Sequence, residues 1–185
     1  MTDHSVLIAL LAERSAKRGQ FTLASGKQSK YYVDARLTTM SPEGLSLIGP
    51  LAFSIIQKSG WEIDAVGGLT LGADPISYAI SYASADSHRP LRAFTVRKEV
   101  KSHGTGKTIE GPFKEADRVA VIEDVITTGG SALRAIEAVR AAGGIVVGVL
   151  ALVDREEGGR QTIEAAGVPV ISLVSATQII NALES

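Results

Sequence analysis

An unbroken apolar stretch at residues 145–153, IVVGVLALV, constrains the fold of this chain more than any other segment. A strand with apolar side chains on both sides has to be covered on both faces, which requires a parallel sheet with helices on each side. Apolar segments of this kind alternate along the chain with segments of helical periodicity, so we predict an α/β fold. In such sheets, ligands bind beyond the carboxyl ends of the strands.

Hydrophobic periodicity and turn residues predict the helices and strands. A helix begins after Asp3 or Ser5, two strands joined by a turn occupy residues 21–34, and a helix begins at Ser41 and Pro42 and runs to about residue 58. The remaining predicted strands are 64–68, 91–96, 118–122, 145–153 and 168–174, and the remaining predicted helices are 74–85, 131–142, 161–166 and 176–183. The chain has 185 residues, of which 45% are hydrophobic, so we expect a single domain over residues 1–185.

Acidic and basic residues are interleaved along the chain and nearly balanced, with a formal net charge of −1. This distribution lacks the basic patch of nucleic-acid-binding proteins, so we expect no nucleic-acid partner. The chain has no cysteine, which excludes disulfides and thiolate metal sites. No apolar run approaches the length of a membrane span, and the N-terminal residues do not resemble a signal peptide. We therefore expect no membrane partner and a cytoplasmic location.

Residues 119–131, VAVIEDVITTGGS, join a buried strand to two acids and to a turn rich in hydroxyls and glycines, just before a predicted helix. A helix N-terminus offers free N–H groups and a partial positive charge, so this turn is suited to a phosphate. Two neighbouring carboxylates repel a phosphate, and Glu123 and Asp124 therefore suit the hydroxyls of a sugar, or a metal. Together these features predict a site for a ribose 5-phosphate. The alternative is an ordinary turn with two solvated acids.

This segment resembles the phosphoribosyl pyrophosphate (PRPP) motif of type I phosphoribosyltransferases, and it differs from the other glycine-rich phosphate loops. The resemblance implies a parallel-sheet type I phosphoribosyltransferase fold, with helices on both faces and a small N-terminal hood at about residues 1–35. It also implies a set of contacts to PRPP, of which Asp124 is in addition catalytic. These contacts are Glu123, Asp124, Val125, Ile126, Thr127, Thr128, Gly129, Gly130 and Ser131.

A basic segment at residues 94–107, FTVRKEVKSHGTGK, resembles the catalytic loop of orotate phosphoribosyltransferases in its spacing Arg-Lys-x-x-Lys-x-His-Gly. The resemblance implies that Arg97, Lys98, Lys101 and His103 bind PRPP, and that Lys101 and His103 are catalytic. Because residues 97–113 have little apolar content to pack, we expect a mobile catalytic loop there. A solvated charged loop is the alternative.

Three further clusters carry the same resemblance. Residues 67–75, GGLTLGADP, correspond to the pyrophosphate loop of the family, although turn glycines without a ligand are the alternative. Residues 21–26, FTLASG, precede the aromatic pair Tyr31 and Tyr32 on a strand. This arrangement resembles the segment that packs over the pyrimidine ring in the family, although an aromatic pair buried in the core is the alternative. Arg155 follows a strand and suits a carboxylate, although a surface ion pair is the alternative. The implied orotate contacts are Thr127, Arg155, Tyr31 and Tyr32.

Two positions depart from the family pattern. Many members have a lysine where this chain has Ala24, and another where it has Gly72. Their absence shifts the positive charge available for pyrophosphate onto the basic loop.

The resemblance covers residues 21–159 and implies transfer of the ribose 5-phosphate group of PRPP to orotate, which gives orotidine 5′-monophosphate in pyrimidine biosynthesis. It also implies Mg²⁺ held mainly by PRPP, with no protein ligand assigned, and a homodimer in which each catalytic loop serves the partner's site. Another base-specific phosphoribosyltransferase would share the acidic motif but not the basic loop. A PRPP-sensing transcription regulator would need a DNA-reading segment and a basic face.

Overall fold

A computed structural model of the chain describes residues 3–22, 28–98 and 108–184. Its strands within these ranges are β1 (Ala16–Thr22), β2 (Gln28–Val33), β3 (Ala65–Leu69), β4 (Arg92–Val96), β5 (Ile109–Glu110), β6 (Arg118–Ile126), β7 (Ile145–Asp154) and β8 (Val170–Ser175). Its helices are α1 (Asp3–Arg14), α2 (Arg36–Thr39), α3 (Pro42–Lys58), α4 (Ala73–Ala83), α5 (Gly130–Ala141), α6 (Gly159–Ala165) and α7 (Ala176–Glu184).

The larger of the two sheets places β6 in its interior. The strand order is β5-β4-β3-β6-β7-β8, and all neighbours are parallel except the short edge strand β5, which pairs with β4 antiparallel. Since β3 and β7 flank β6, the carboxyl ends of these three parallel strands meet at one edge of the sheet. The predicted site residues Glu123, Asp124 and Arg155, and the loop that follows β3, come from this edge.

Both faces of the sheet are buried, as the apolar strands require. On β6, Ala120 and Ile122 join a core cluster that includes residues of α1, α3, α4 and α7, whereas Val119 and Val121 join a second cluster with residues of α5 and α6. The prediction of an α/β fold with helices on both faces of a mainly parallel sheet is therefore confirmed.

A separate two-stranded antiparallel sheet, β1 with β2, precedes the main sheet. It corresponds in position to the predicted N-terminal hood, although a boundary near residue 35 remains a prediction. The chain then enters α3 as its sequence indicates: the Ser41 side chain accepts a hydrogen bond from the Gly44 amide at 3.1 Å, and Pro42 occupies the first turn.

Several boundaries differ from the sequence predictions. Strand β6 runs to Ile126 and not to residue 122, because β7 pairs with it as far as the couple Ile126–Asp154. Glu123 and Asp124 therefore lie inside the strand and not beyond its end. Helix α2 and strand β5 were not predicted, since two to four residues are too short for a periodic pattern. Among the described residues, no helix is long and apolar enough to cross a membrane.

Candidate substrate site

Glu123 and Asp124 place two carboxyl groups on the interior strand β6. Glu123 is buried, with 7% of its surface exposed, whereas Asp124 is half-buried. Burial, and next the charge and hydrogen bond of Asp124, raise the pKa of Glu123 well above its usual value. A buried carboxyl beside a second carboxyl is stabilised by donors that approach both, and neighbouring sugar hydroxyls are donors of this kind.

The turn at residues 127–131 joins β6 to α5. Gly129 has φ +85°, and a Cβ there would stand 2.9 Å from the Gly159 carbonyl oxygen, so the turn requires glycine at this position. Within the described part of the chain, the backbone N–H groups of residues 127–131 donate to no protein acceptor. They surround a small cavity of about 40 Å³ that also touches Glu123. This is the geometry of an anion site at a helix N-terminus.

A larger cavity of about 350 Å³ opens beside this turn and shares residues with it. It unites the end of the hood, the loop after β3, the acids of β6 and the segment after β7. Its lining residues are Tyr32, Val33, Asp34, Ala35, Arg36, Leu69, Thr70, Leu71, Gly72, Lys98, Glu123, Asp124, Val125, Thr127, Ser131, Arg155 and Glu157.

The loop after β3, residues 70–72, forms one wall of the cavity. The hydroxyl of Thr70 donates to the Asp74 carboxylate at 2.7 Å, and Thr95 on β4 donates to the other oxygen of Asp74 at 2.8 Å. Tyr78 continues this network, with its hydroxyl 2.9 Å from that of Thr95. The peptide bond between Thr70 and Leu71 is cis. The network fixes the loop to α4 and β4.

Arg155 follows β7 and forms the buried end of the cavity. Its side chain is 7% exposed and lies 2.9 Å from a carboxylate oxygen of Glu157, and its amide donates to the Ile126 carbonyl at 2.9 Å. The second carboxylate oxygen of Glu157 is buried and has no hydrogen-bond partner within the described residues. A guanidinium held in this way presents a fixed planar donor to a ligand.

The structure separates the two tyrosines that sequence analysis grouped as orotate contacts. Tyr32 lines the large cavity, and its ring centroid lies 5.5 Å from that of Phe21. Tyr31 is outside the lining, and its hydroxyl donates to Glu184 at 2.5 Å, which raises the pKa of Tyr31. Because successive residues of a strand point to opposite faces, the two rings cannot cover the same ligand.

The predicted PRPP contacts fall into three groups. The first group lines the two cavities and includes Asp124, Lys98 and the residues around the small cavity. Within it, the side chain of Ile126 is buried in the core, so only its backbone can contact a ligand. Arg97 is adjacent to the site but pairs with Glu110 at 2.6 Å and does not line the large cavity. Lys101 and His103 lie outside the described residues.

Three charged residues of the cavity were not predicted from the sequence, namely Asp34, Arg36 and Glu157. Asp34 and Arg36 could have been predicted from their position just after β2, because polar residues that follow a strand were also the reason for predicting the site residues after β4 and β7. Glu157 was part of a quoted cluster but was interpreted only as a flanking acid.

No model of a protein family matches the chain. Among curated proteins, it is 47% identical over 183 residues to an orotate phosphoribosyltransferase of Aquifex aeolicus (strain VF5), across 97% of this chain and 99% of that protein. Among solved structures, orotate phosphoribosyltransferase of Mycobacterium tuberculosis H37Rv in complex with Fe(III) dicitrate is similar, with a TM-score of 0.85 and 42% identity over 96% of this chain and 99% of that one. The same enzyme in complex with PRPP gives a TM-score of 0.80 and 40% identity, again over 96% and 99% of the two chains.

Proposed function

The chain belongs to the orotate phosphoribosyltransferase family, and from this membership we propose that it transfers the ribose 5-phosphate group of PRPP to orotate. The products are orotidine 5′-monophosphate and pyrophosphate, a step of pyrimidine biosynthesis. The protein is accordingly a pentosyltransferase with the type I phosphoribosyltransferase fold.

One structural observation supports this function most directly. The acids of β6, the backbone amides of residues 127–131 and the buried guanidinium of Arg155 open onto adjoining cavities. Among the described residues, these amides donate to no protein acceptor. A sugar at the acids, its 5′-phosphate at the amides and a carboxylated base at Arg155 are the parts of one nucleotide.

The reaction passes through a ribosyl group with cationic character. Glu123 and Asp124 hold the ribose hydroxyls, and their negative charge lies beside the developing cation. The amides of residues 127–131 hold the 5′-phosphate, and Arg155, Tyr32 and Thr127 orient orotate. Preorganised groups of this kind contribute about 3–4 kcal/mol each to lowering the barrier.

The basic loop acts on the leaving group in this proposal. Arg97, Lys98, Lys101 and His103 stabilise the charge of the departing pyrophosphate, and His103 can assist as a cation because histidine titrates near neutral pH. Closure of the loop over the site would keep water from capturing the ribosyl group.

In this proposal Mg²⁺ is bound together with PRPP. The described residues contain no cluster of three or more potential metal ligands, and Mg²⁺ characteristically takes much of its coordination from substrate phosphates and water. When bound with PRPP, it would neutralise part of the diphosphate charge. The residues of this chain then position the ribose and the base around it.

A second copy of the chain completes the site in this proposal. An apolar groove of about 870 Å³ borders the large cavity and shares Leu71 with it. Met40, Tyr78 and Tyr82 line it, and Tyr82 is 86% exposed. Exposed apolar surface of this extent is typical of an interface. We infer a homodimer joined there, in which residues 97–103 of one subunit serve residues 123–131 of its partner, and a cytoplasmic location.

The function is tested by offering orotate, uracil, adenine and hypoxanthine separately with PRPP and Mg²⁺, and by following consumption of each base. We expect orotate alone to be consumed at a substantial rate. Consumption of a purine or of uracil, without orotate, would assign the protein to another base-specific phosphoribosyltransferase. Binding of PRPP with no turnover of any base would favour the regulator.

A further inference from the structure

Arg36 is a cation of the large cavity that the acidic motif and the basic loop do not include. It is the first residue of α2, directly after the hood, and its side chain is 51% exposed. Its guanidinium forms a bidentate pair with Asp34, in which Nε donates to one carboxylate oxygen at 2.9 Å and Nη2 to the other at 3.0 Å. The guanidinium is therefore held in place before any ligand arrives.

Asp34 leaves most of the hydrogen-bonding capacity of Arg36 unused. A guanidinium has five N–H donors, and the carboxylate takes one from Nε and one from Nη2. Within the described residues, Arg36 makes no other side-chain hydrogen bond. The remaining donors, both of Nη1 and one of Nη2, are available to an anion without breaking the pair with Asp34.

The neighbours of Arg36 indicate which part of the substrate it meets. Besides Asp34, its electrostatic neighbours are Tyr32 and Asp124. The Asp124 carboxyl lies against the loop at residues 70–72, because a Cβ on Gly72 would stand 2.5 Å from it. Arg36 and this loop therefore both lie near Asp124, and both line the large cavity. The buried end, by contrast, is occupied by Arg155 with its own acid, Glu157.

Carboxyl groups outnumber cations among the described residues of the large cavity, so a cation there can contribute to binding an anionic substrate. The described lining contains four carboxyl groups, those of Asp34, Glu123, Asp124 and Glu157, and three cations, those of Arg36, Lys98 and Arg155. PRPP brings a 5′-phosphate and a diphosphate into this environment. The loop at residues 70–72, Thr-Leu-Gly, supplies no positive charge of its own.

We propose that Arg36 binds the diphosphate of PRPP, and that Asp34 orients its guanidinium for this contact. The inference rests on the proposed function and adds a substrate contact to it. As the diphosphate departs, its charge increases, and Arg36 stabilises it together with the basic loop. Arg36 supplies at this site a positive charge that the loop at residues 70–72 lacks.

The variant Arg36→Gln tests the proposal, with Arg89→Gln as the matched control. Arg89 is similarly exposed, at 55%, and pairs with Asp64 at 2.9 Å, but it lies outside the large cavity. For Arg36→Gln we expect binding of PRPP and of pyrophosphate, each measured by calorimetry with Mg²⁺, to weaken about tenfold. The KM for orotate should change less than twofold, and Arg36→Lys should recover part of the loss. The control should bind PRPP like the wild type.

Three results would overturn the inference. The first is unchanged affinity of folded Arg36→Gln for PRPP and pyrophosphate, and the second is a rise confined to the KM for orotate, which would place Arg36 at the base. The third is an equal loss in Arg89→Gln, which would indicate a general charge effect. Failure of the proposed function is a separate result, since it appears as absence of orotate turnover in the wild type, whereas pyrophosphate binding needs no turnover.

Discussion

Gly72 and Asp124 lie so close together that a Cβ atom on Gly72 would stand 2.5 Å from the carboxyl carbon and from both carboxylate oxygens of Asp124. No side chain is accommodated at that distance. The glycine therefore allows the loop after β3 to approach the acidic strand directly. A side chain at position 72 would require the Asp124 carboxyl to move, so the position of Asp124 depends on the glycine at position 72.

Gly72→Ala should consequently impair catalysis more than folding. The added methyl group displaces the Asp124 carboxyl from its place beside the loop, and we expect kcat/KM to fall by about tenfold or more, equivalent to a loss of about 1.4 kcal/mol in transition-state stabilisation. Turnover with orotate and the thermal midpoint of unfolding are the measurements. An alanine variant with full activity would show that the loop yields in place of Asp124.

The control for this variant is the same substitution in an Asp124→Gly background. There the contact partner is absent, so Gly72→Ala should cost little or no unfolding free energy. Equal destabilisation in both backgrounds would locate the clash elsewhere. The comparison is a double-mutant cycle and isolates the contact between the two residues.

The buried carboxyl of Glu123 makes the stability of the protein depend on pH. Burial and the charge of Asp124 raise its pKa in the folded state above the ordinary value of 4.5, so the folded protein holds this proton more tightly than the unfolded chain. Stability contributed by the proton is complete below pH 4.5 and is lost as the pH rises through the folded-state pKa. Glu123→Gln keeps a neutral side chain at every pH and lacks this loss.

Urea unfolding of the wild type and of Glu123→Gln at pH 5 and pH 8 measures the effect. We expect the free energy of unfolding to shift in favour of the variant by about 1 kcal/mol or more at the higher pH. The variant should also lose activity, because a neutral amide does not stabilise the ribosyl cation. The exposed Glu137→Gln is the matched control. A difference that is constant between the two pH values would contradict the prediction.

Asp74 connects the fold to the site, and its removal should affect both. The residue is buried and accepts hydrogen bonds from Thr70 and Thr95. Asp74→Ala should lower the free energy of unfolding by about 2–3 kcal/mol, since hydrogen bonds to a charged group are among the stronger ones. It should also lower kcat/KM, because Thr70 then loses its anchor.

Tyr78→Phe provides the comparison for Asp74. It removes only the outermost hydroxyl of the network, the one that meets Thr95, and should cost less than about 1.5 kcal/mol. Denaturant unfolding and steady-state kinetics separate the two effects. If Asp74→Ala lowered stability while kcat/KM remained at the wild-type level, the loop would be held by other contacts.

The sheet was predictable from the sequence because its pattern is local. The run at residues 145–153 is apolar at every position, so burial on both faces follows without knowledge of its neighbours. The end of β6 was not predictable in the same way. Glu123 and Asp124 interrupt the apolar pattern, and only pairing with β7 extends the strand to Ile126.

The same distinction applies to the site. The small cavity could be located from the motif at residues 119–131, because all the residues that line it are contiguous or nearly so in the sequence. Arg36 was missed because only the fold brings it near the acid Asp124 of β6. Glu157 is two residues from Arg155 and was interpreted only as a flanking acid. The separation of Tyr31 from Tyr32 follows from strand alternation and was available to sequence reasoning, had the strand assignment been applied to the pair.

The roles of Lys101 and of the second subunit can be tested together by complementation. Lys101→Ala should lower turnover far more than stability, and so should Asp124→Asn, since both residues act on the substrate in our proposal. If each loop serves the partner's site, a heterodimer of the two variants contains one site with both residues intact. Random pairing should then restore about a quarter of the wild-type activity.

The two variants are to be coexpressed with different tags, so that mixed dimers form during folding and can be isolated. A loop that acts in its own subunit would leave both sites of the heterodimer defective, and mixing would restore nothing. Tyr82→Arg in both chains supplies the control, because a charge on this 86% exposed residue of the apolar groove should prevent pairing. Complementation that survived Tyr82→Arg would place the subunit interface away from the groove.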